Sequence, residues 1–223
     1  MEGNDLRYDR QKLIAGWDQE KLSKGIVTIV GSGKLAQYTA LPLTALGVGT
    51  IRIIDHSFSE RNEMFLDISL EGKTRASKLE EALYKLNPNV NVIPVNSRLA
   101  SNQAQYFLEG SNVVIDATND FVSKSYIAGF FNNREKKGKY FISASASDHR
   151  GKIVFFNPQN EEMTLLPMFN NAVQGDLISL ELGGVIAEEV KKMLMGEGNL
   201  LDRHYDYNNT SFERFQYESD IQI

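Results

Sequence analysis

The chain has 223 residues, enough for one large α/β domain or two small ones. Its formal net charge is −5, so it shows no basic excess for binding nucleic acid or a membrane surface. It contains no cysteine, which excludes disulfides, thiolate zinc sites and a cysteine nucleophile. No apolar run approaches membrane-spanning length and the N-terminus lacks the apolar core of a signal peptide, so we expect a cytoplasmic protein.

The first part of the chain has the element order of a mononucleotide-binding βαβ unit. Its predicted elements are, in chain order, one or two short helices within residues 6–22, a strand at 26–30, a glycine turn at 31–33, a helix at 35–46 and a strand at 51–54. Gly31 and Gly33 allow a tight turn and a close approach of the backbone to a phosphate at the helix N-terminus. Asp55 follows the second strand, where a carboxylate can accept a ribose hydroxyl. This pattern predicts a nucleotide site and leaves the nucleotide open.

The rest of the chain continues the alternation of helices and strands after a long polar segment. The predicted elements are a helix at 73–86, a strand at 90–95, a helix at 102–108, a strand at 113–115, a helix from the turn at 116–121 to about 133, strands at 140–144 and 152–156, a helix at 177–195 and a hairpin within 204–218. This order predicts an α/β fold with an open, mostly parallel, doubly wound sheet. Ligands of such sheets bind over the carboxyl ends of the strands, so the glycine turn, Asp55 and the turn after Asp116 should meet in one crevice.

We expect a single domain over residues 1–223, because no linker or repeat divides the chain. Its nucleotide-binding core would cover about residues 25–157, and a C-terminal helix and hairpin about residues 176–218. Gly183 and Gly184 fall inside the predicted C-terminal helix, where glycine costs stability relative to alanine. A close backbone contact should offset that cost.

Five short segments carry a resemblance to a known family. They are RYDRQ at 7–11, GVGTIRIID at 47–55, GKTRASKLEEALYKLNP at 72–88, DATND at 116–120 and GGVIAEEVKKML at 183–194. In this order they resemble the ThiF/MoeB/HesA family, the ubiquitin-activating type of adenylyltransferase. The resemblance implies ATP with magnesium, a small ubiquitin-like or sulfur-carrier protein as partner, and either a homodimer or a heterodimer with an active homologue. The implied reaction needs cations on the phosphates and a carboxylate that holds magnesium.

The resemblance also assigns roles to individual residues. Gly31 and Gly33 would face the phosphates, and Asp55 would face the ribose hydroxyls. Arg10 matches the arginine that, in family dimers, reaches into the site of the neighbouring subunit toward the terminal phosphates. These four residues are as the family has them.

Other positions depart from the family pattern. Asn62 matches the family's nucleotide-binding asparagine, but Phe65 replaces the arginine that follows it and grips phosphate. Arg75 stands where the family has a lysine, and it keeps the charge without the compact geometry. Asn119 aligns with the magnesium-binding aspartate, while Asp120 lies next to it, as if the pair were exchanged. An amide is a poorer magnesium ligand than a carboxylate.

Two interpretations of these departures remain open. In the first, the site is rearranged but active: Asp120 binds magnesium, and Arg75 contacts phosphate together with Lys73 or Lys78. In the second, which we favour, the chain is an impaired subunit that supplies Arg10 to an active partner, as arginine fingers act in trans. Changing Arg75 to lysine and position 119 to aspartate should then raise adenylate formation.

Simpler roles exist for the same residues. Arg10 could be a surface ion-pair residue, and Arg75 could pair with Glu71 four residues earlier. Asp116 and Asp120 could cap the following helix. Two other function classes also stay open: a nicotinamide-dependent oxidoreductase, supported only by the βαβ unit with its acidic residue, and a non-catalytic scaffold of the same fold.

Overall fold

The computed structural model describes residues 6–58, 72–132, 139–156 and 173–197, and the backbone of two further strands at 203–208 and 214–217. The helices are two 3₁₀ turns (Leu6–Tyr8 and Gln11–Leu13), α1 (Gln19–Lys24), α2 (Lys34–Leu46), α3 (Arg75–Leu86), α4 (Ser101–Leu108), α5 (Phe121–Phe131) and α6 (Asp176–Met195). The strands are β1 (Ile26–Val30), β2 (Thr50–Ile54), β3 (Asn91–Val95), β4 (Val113–Asp116), β5 (Tyr140–Ala146), β6 (Arg150–Phe156), β7 (Arg203–Asn208) and β8 (Arg214–Tyr217). Within this part of the chain, no helix has the length and apolarity to cross a membrane.

The strands form one eight-stranded sheet in the order β3-β2-β1-β4-β5-β6-β7-β8. The first five strands in this order are parallel, and β6, β7 and β8 continue the sheet antiparallel. The chain runs outward from β1 to β3 and then returns to place β4 on the other side of β1, which makes a topological switch point between β1 and β4. The predicted α/β class, the mostly parallel doubly wound sheet and the C-terminal hairpin are confirmed.

Helices cover both faces of the sheet because the parallel strands are apolar on both sides. On one face, α2, α3 and α6 contribute the buried side chains of the larger cluster, including Leu43, Leu79 and Ile186. On the other face, α4 and α5 pack Leu108 and Phe131 against the sheet. Burial of these two apolar layers holds the helices against the sheet. The helices that follow the parallel strands therefore begin at the carboxyl edge of the sheet.

Helix α6 packs directly on α2 through Gly183. A Cβ at Gly183 would lie 2.7 Å from the carbonyl carbon and 2.8 Å from the carbonyl oxygen of Tyr38, so glycine is required for this helix contact. Pro42 lies inside α2 and has no N–H to donate to that same Tyr38 carbonyl. Gly184 is exposed, and a Cβ there would meet nothing within 4 Å. The expected close backbone contact is therefore present at Gly183 and absent at Gly184.

Substituting the two glycines should change stability in opposite directions. Gly183→Ala should lower the free energy of unfolding by about 1–3 kcal/mol, because the new methyl group overlaps the α2 backbone. Gly184→Ala should raise it by up to about 1 kcal/mol, because alanine loses less backbone entropy in an open helix position. Urea unfolding at equal m-value measures both, and similar shifts for the two variants would contradict the packing described here.

Candidate functional site

A cleft of about 660 Å³ lies over the carboxyl ends of β1, β2 and β4, a volume within the usual range for small-molecule sites. Strand register explains why these segments meet. Val30 of β1 pairs with Ile54 of β2 and with Asp116 of β4, so the residues that follow the three strands leave the sheet at one level. Six of the predicted site residues line the cleft: Gly31, Gly33, Asp55, Arg75, Asn119 and Asp120.

Of the other three predicted site residues, the structure describes two, and neither lines the cleft. Lys78 is buried on α3 and is not among the residues of the cleft wall. Arg10 is exposed and lies in the N-terminal segment. Asn62, like Phe65, lies outside the described residues.

The glycine turn after β1 lies very close to the turn after β4, and glycine at position 31 makes this possible. Gly31 has φ of +99°, a conformation that favours glycine, and its N–H donates to the Ile54 carbonyl at 2.9 Å. A Cβ at Gly31 would lie 3.1 Å from Cγ2 of Thr118 and 3.4 Å from the Ala117 backbone. Gly33 then provides the N-cap position of α2. The first amides of α2, which have no acceptor within the helix, therefore begin at the cleft.

Asp55 fastens the glycine turn to the end of β2. Its Oδ2 accepts hydrogen bonds from the N–H and the hydroxyl of Ser32, at 2.9 and 2.6 Å. Its Oδ1 accepts from the N–H and the hydroxyl of Ser57, at 2.8 and 2.6 Å. Burial raises the pKa of Asp55, but the hydrogen bonds from the two serines outweigh it and hold the pKa below the ordinary carboxyl value. Asp55 is thus a carboxylate with four donors already in place.

Beneath the cleft, the turn after β4 rests on a buried ion pair. Nζ of Lys124 donates to Oδ2 of Asp116 at 2.6 Å and to the Ala144 carbonyl at 3.1 Å, and both charged side chains are buried. Oδ1 of Asp116 accepts from the N–H and the hydroxyl of Thr118, at 2.9 and 2.7 Å. Charges buried at this depth need such pairing. Asp116 therefore shapes the turn from below and does not line the cleft.

Asn119 and Asp120, at the top of this turn, are both held by protein groups. Nδ2 of Asn119 donates to the Ala146 carbonyl at 2.8 Å, and its Oδ1 accepts from the hydroxyl of Ser145 at 2.6 Å. Asp120 caps α5 by accepting from the N–H groups of Val122 and Ser123, both at 3.2 Å. Burial raises the pKa of Asp120, but hydrogen bonds, first of all from Ser123, outweigh it, so the pKa lies below the ordinary value. The capping role anticipated for Asp120 is present.

Besides Lys34, two arginines line the cleft, Arg75 and Arg98. Arg75 begins α3, and its N–H donates to the Ser57 carbonyl at 2.8 Å. Arg98 follows β3 and was not identified from the sequence; its side chain is 66% exposed, with Nη2 3.9 Å from Oδ2 of Asp120. The order of the strands could have predicted Arg98. Because β3 is parallel to β2 and Val95 pairs with Ile54, residues just after β3 also reach the cleft.

Gln174 lines the cleft from the side of α6, and Asp176 at the start of that helix pairs with Lys34 of the cleft wall. Oε1 of Gln174 accepts from the Leu35 N–H at 3.0 Å, and its Nε2 donates to the Ala117 carbonyl at 3.1 Å. Asp176 lies 3.0 Å from Nζ of Lys34. No local pattern predicts these contacts, which join residues 57 to 142 positions apart in sequence.

The N-terminal segment lies at the opposite end of α2 from the cleft. Nε2 of Gln11 donates to the Leu46 carbonyl at 3.2 Å, and Nη1 of Arg7 donates to the Leu86 carbonyl at 2.9 Å. These contacts cover the C-terminal ends of α2 and α3. Arg10 lies between them; its carbonyl accepts from the Leu13 N–H at 3.2 Å, and its guanidinium makes no hydrogen bond or ion pair with the residues that the structure describes. Since α2 has 13 residues, Arg10 lies about 20 Å from the glycine turn of its own chain.

Comparison with known proteins gives a consistent result. The ThiF family matches residues 8–220. The chain is 27% identical over 213 residues to molybdopterin-synthase adenylyltransferase of Escherichia coli K12, covering 86% of this chain and 83% of that protein. It is 26% identical over 230 residues to adenylyltransferase and sulfurtransferase UBA4 of Candida glabrata, covering 94% of this chain but only 50% of that protein.

Solved structures show the same fold at lower identity. PaaA superposes with a TM-score of 0.81 at 17% identity, over 98% of this chain and 74% of that one. Escherichia coli MccB with ATP superposes with a TM-score of 0.79 at 14% identity, over 96% of this chain and 72% of that one.

The hydrogen bonds of Asp55 predict an acid dependence of stability. Its folded-state pKa lies below the unfolded value of about 3.9, so its stabilisation is present above that pH and is lost as the pH falls through the folded-state pKa. Ser57→Ala should weaken this dependence, because it removes one of the bonds that lower the pKa. Urea unfolding at a series of pH values from about 7 to 2 measures it.

Ser125→Ala is the matched control, because this hydroxyl donates to a backbone carbonyl, that of Val122, and touches no carboxylate. It should keep the acid dependence of the unmodified protein. Identical acid dependence in all three proteins would contradict the role given to the serine contacts of Asp55.

Proposed function

The chain belongs to the ThiF family, and we propose that it binds ATP in the cleft above the glycine turn and takes part in adenylating the C-terminus of a small ubiquitin-like or sulfur-carrier protein, or of a peptide. The proposal is based mainly on the cleft at the switch point of the sheet. In this ThiF chain the cleft brings together a glycine turn, a helix N-terminus and the Asp55 carboxylate. Two relatives named adenylyltransferases and the structure of MccB with ATP support it. The nicotinamide alternative has no comparable support.

In the proposed reaction, a carboxylate oxygen of the partner attacks the α-phosphorus of ATP, the bond to the bridging oxygen breaks, and pyrophosphate leaves. The chain would contribute binding and charge rather than an acid or base. The first amides of α2 would face a phosphate, and Arg75 and Arg98 would offset phosphate charge from the cleft wall. Asp55 would accept a ribose hydroxyl on an oxygen that now accepts from a serine, so one serine hydroxyl would have to turn away.

Magnesium fits this cleft through one carboxylate. Among the described residues, no group of three or more His, Cys, Asp or Glu side chains could hold a metal alone, whereas Mg²⁺ commonly binds one or two carboxylates together with substrate phosphates. Asp120 lines the cleft, and its Oδ1 accepts a single hydrogen bond, so it can take this role. The Asn119 carboxamide is already used at both ends. Magnesium bound with ATP would supply positive charge against the phosphates.

We further propose that this chain is an impaired subunit of a dimer with an active homologue. Asn119 stands at the family's magnesium position and is fixed as an amide, because a carboxylate there could not donate to Ala146. The Arg10 side chain is exposed and lies at the opposite end of α2 from its own cleft, so we expect it to act on a nucleotide in another subunit. The contacts of Asn119 support the impaired interpretation over the rearranged active site, whereas the position of Arg10 supports a dimer in either case. A cytoplasmic location stays a prediction.

Nucleotide binding is tested by calorimetric titration with Mg-ATP, with NAD as the control. We expect ATP to bind and NAD to give no signal. Arg75→Ala should weaken ATP binding about tenfold or more through loss of a charge-assisted contact, and should leave adenosine binding unchanged. A binding signal with NAD, or no binding signal with ATP, would overturn the proposed site.

The subunit role is tested by ATP–pyrophosphate exchange. The chain alone should not catalyse exchange, and it should raise exchange by a homologue from the same genome that carries the family's phosphate-binding lysine and arginine and its magnesium-binding aspartate. Arg10→Ala should remove that stimulation and lower the exchange rate by about a thousandfold or more, the scale of arginine fingers that act in trans. Lys12→Ala changes an exposed cation of the same segment and should have no effect. Exchange by the chain alone would favour the rearranged active site instead.

A further inference from the structure

Gln174 occupies the position that the helix N-terminus offers to an anion. Its Oε1 accepts from the Leu35 N–H at 3.0 Å, and that amide is one of the first four of α2, which have no acceptor within the helix. These amides are the ones that bind phosphates at the start of a helix that follows a glycine turn. The side chain of Gln174 therefore supplies the acceptor that a phosphate oxygen would otherwise supply.

The space beside Gly33 leads to the same conclusion. A Cβ at Gly33 would lie 2.8 Å from Oε1 of Gln174, so the carboxamide oxygen fills the room that the absent side chain leaves. In nucleotide-binding turns this room lets the backbone approach a phosphate. A phosphate oxygen and the Gln174 oxygen cannot both contact the Leu35 N–H there.

Two further contacts hold the segment of residues 173–176 over the turn. Nε2 of Gln174 donates to the Ala117 carbonyl at 3.1 Å, which links the start of α6 to the turn after β4. Asp176 pairs with Lys34 at 3.0 Å, so the cation that directly follows the glycine turn faces a carboxylate of the same segment. The segment thus joins both halves of the switch point across the cleft.

We propose that Gln174 is an internal competitor for the phosphate position and that ATP displaces it, releasing segment 173–176 from the glycine turn. This inference rests on the proposed ATP site and adds its regulation. The free chain binds ATP less tightly than its cleft allows, because the Gln174 contacts must first be broken. A partner that holds segment 173–176 away from the turn raises the affinity for ATP by removing this competition.

The test compares the dissociation constants of Mg-ATP and adenosine for a set of variants. Gln174→Ala should bind ATP about three- to tenfold more tightly, the scale of one or two net hydrogen bonds, and should bind adenosine within about twofold of the unmodified chain. Gln174→Glu should bind ATP more weakly, because a carboxylate at the helix N-terminus is held there more strongly and repels phosphate. Leu177→Ala, an exposed position at the start of α6 outside the cleft wall, is the matched control.

The outcomes separate this inference from the proposed function. Equal or weaker ATP binding by Gln174→Ala, with ATP binding by the unmodified chain intact, overturns the competition and makes Gln174 a ligand of the nucleotide. Absence of ATP binding in every variant overturns the ATP site, and the competition with it. Hydrogen exchange of the Leu35 amide gives a second measure: ATP should leave it protected, whereas Gln174→Ala should speed it only in the nucleotide-free chain.

Discussion

The site depends on the four hydrogen bonds that join Asp55 to Ser32 and Ser57. They tie the glycine turn after β1 to the residues after β2, and they do so with a carboxylate that is mostly out of water. Because β1 pairs with β2 and β4 in register, fixing this one junction also sets the distance between the turn and the residues after β4. The N-terminus of α2, the cleft and the contacts of Gln174 all follow from that arrangement.

Local sequence patterns predicted most of the helices and strands, and the strand order that they imply predicted where much of the site lies. Apolar strands, helical periodicity and glycine turns depend on near neighbours, so the strand at Ile26–Val30 was predicted with its observed bounds and the others within a few residues. The convergence of Gly31, Asp55 and Asp120 followed from parallel strand order alone. Arg98 was within reach of the same reasoning, since it lies three residues past the end of β3.

Contacts between distant segments could not be predicted in this way. Gln174 meets Leu35 across 139 positions, and nothing in the sequence near either residue indicates the pairing. The Asn119 carboxamide donates to Ala146 and accepts from Ser145, and both contacts depend on where β5 ends. Asparagine at position 119 therefore has two effects. It replaces the carboxylate that the family uses for magnesium, and it supplies an amide that joins the turn after β4 to β5. The contacts of Asn119 are the basis of our proposal that the chain is a supporting subunit, which would contribute the exposed Arg10.

The most direct test of the central claim is a crystal structure of the chain grown with Mg-ATP. We predict a phosphate of ATP within hydrogen-bond distance of the Leu35 N–H, the ribose against Asp55, and the Gln174 side chain moved off the N-terminus of α2. A nucleotide bound elsewhere, or an empty cleft with Gln174 in place at saturating ATP, would contradict it.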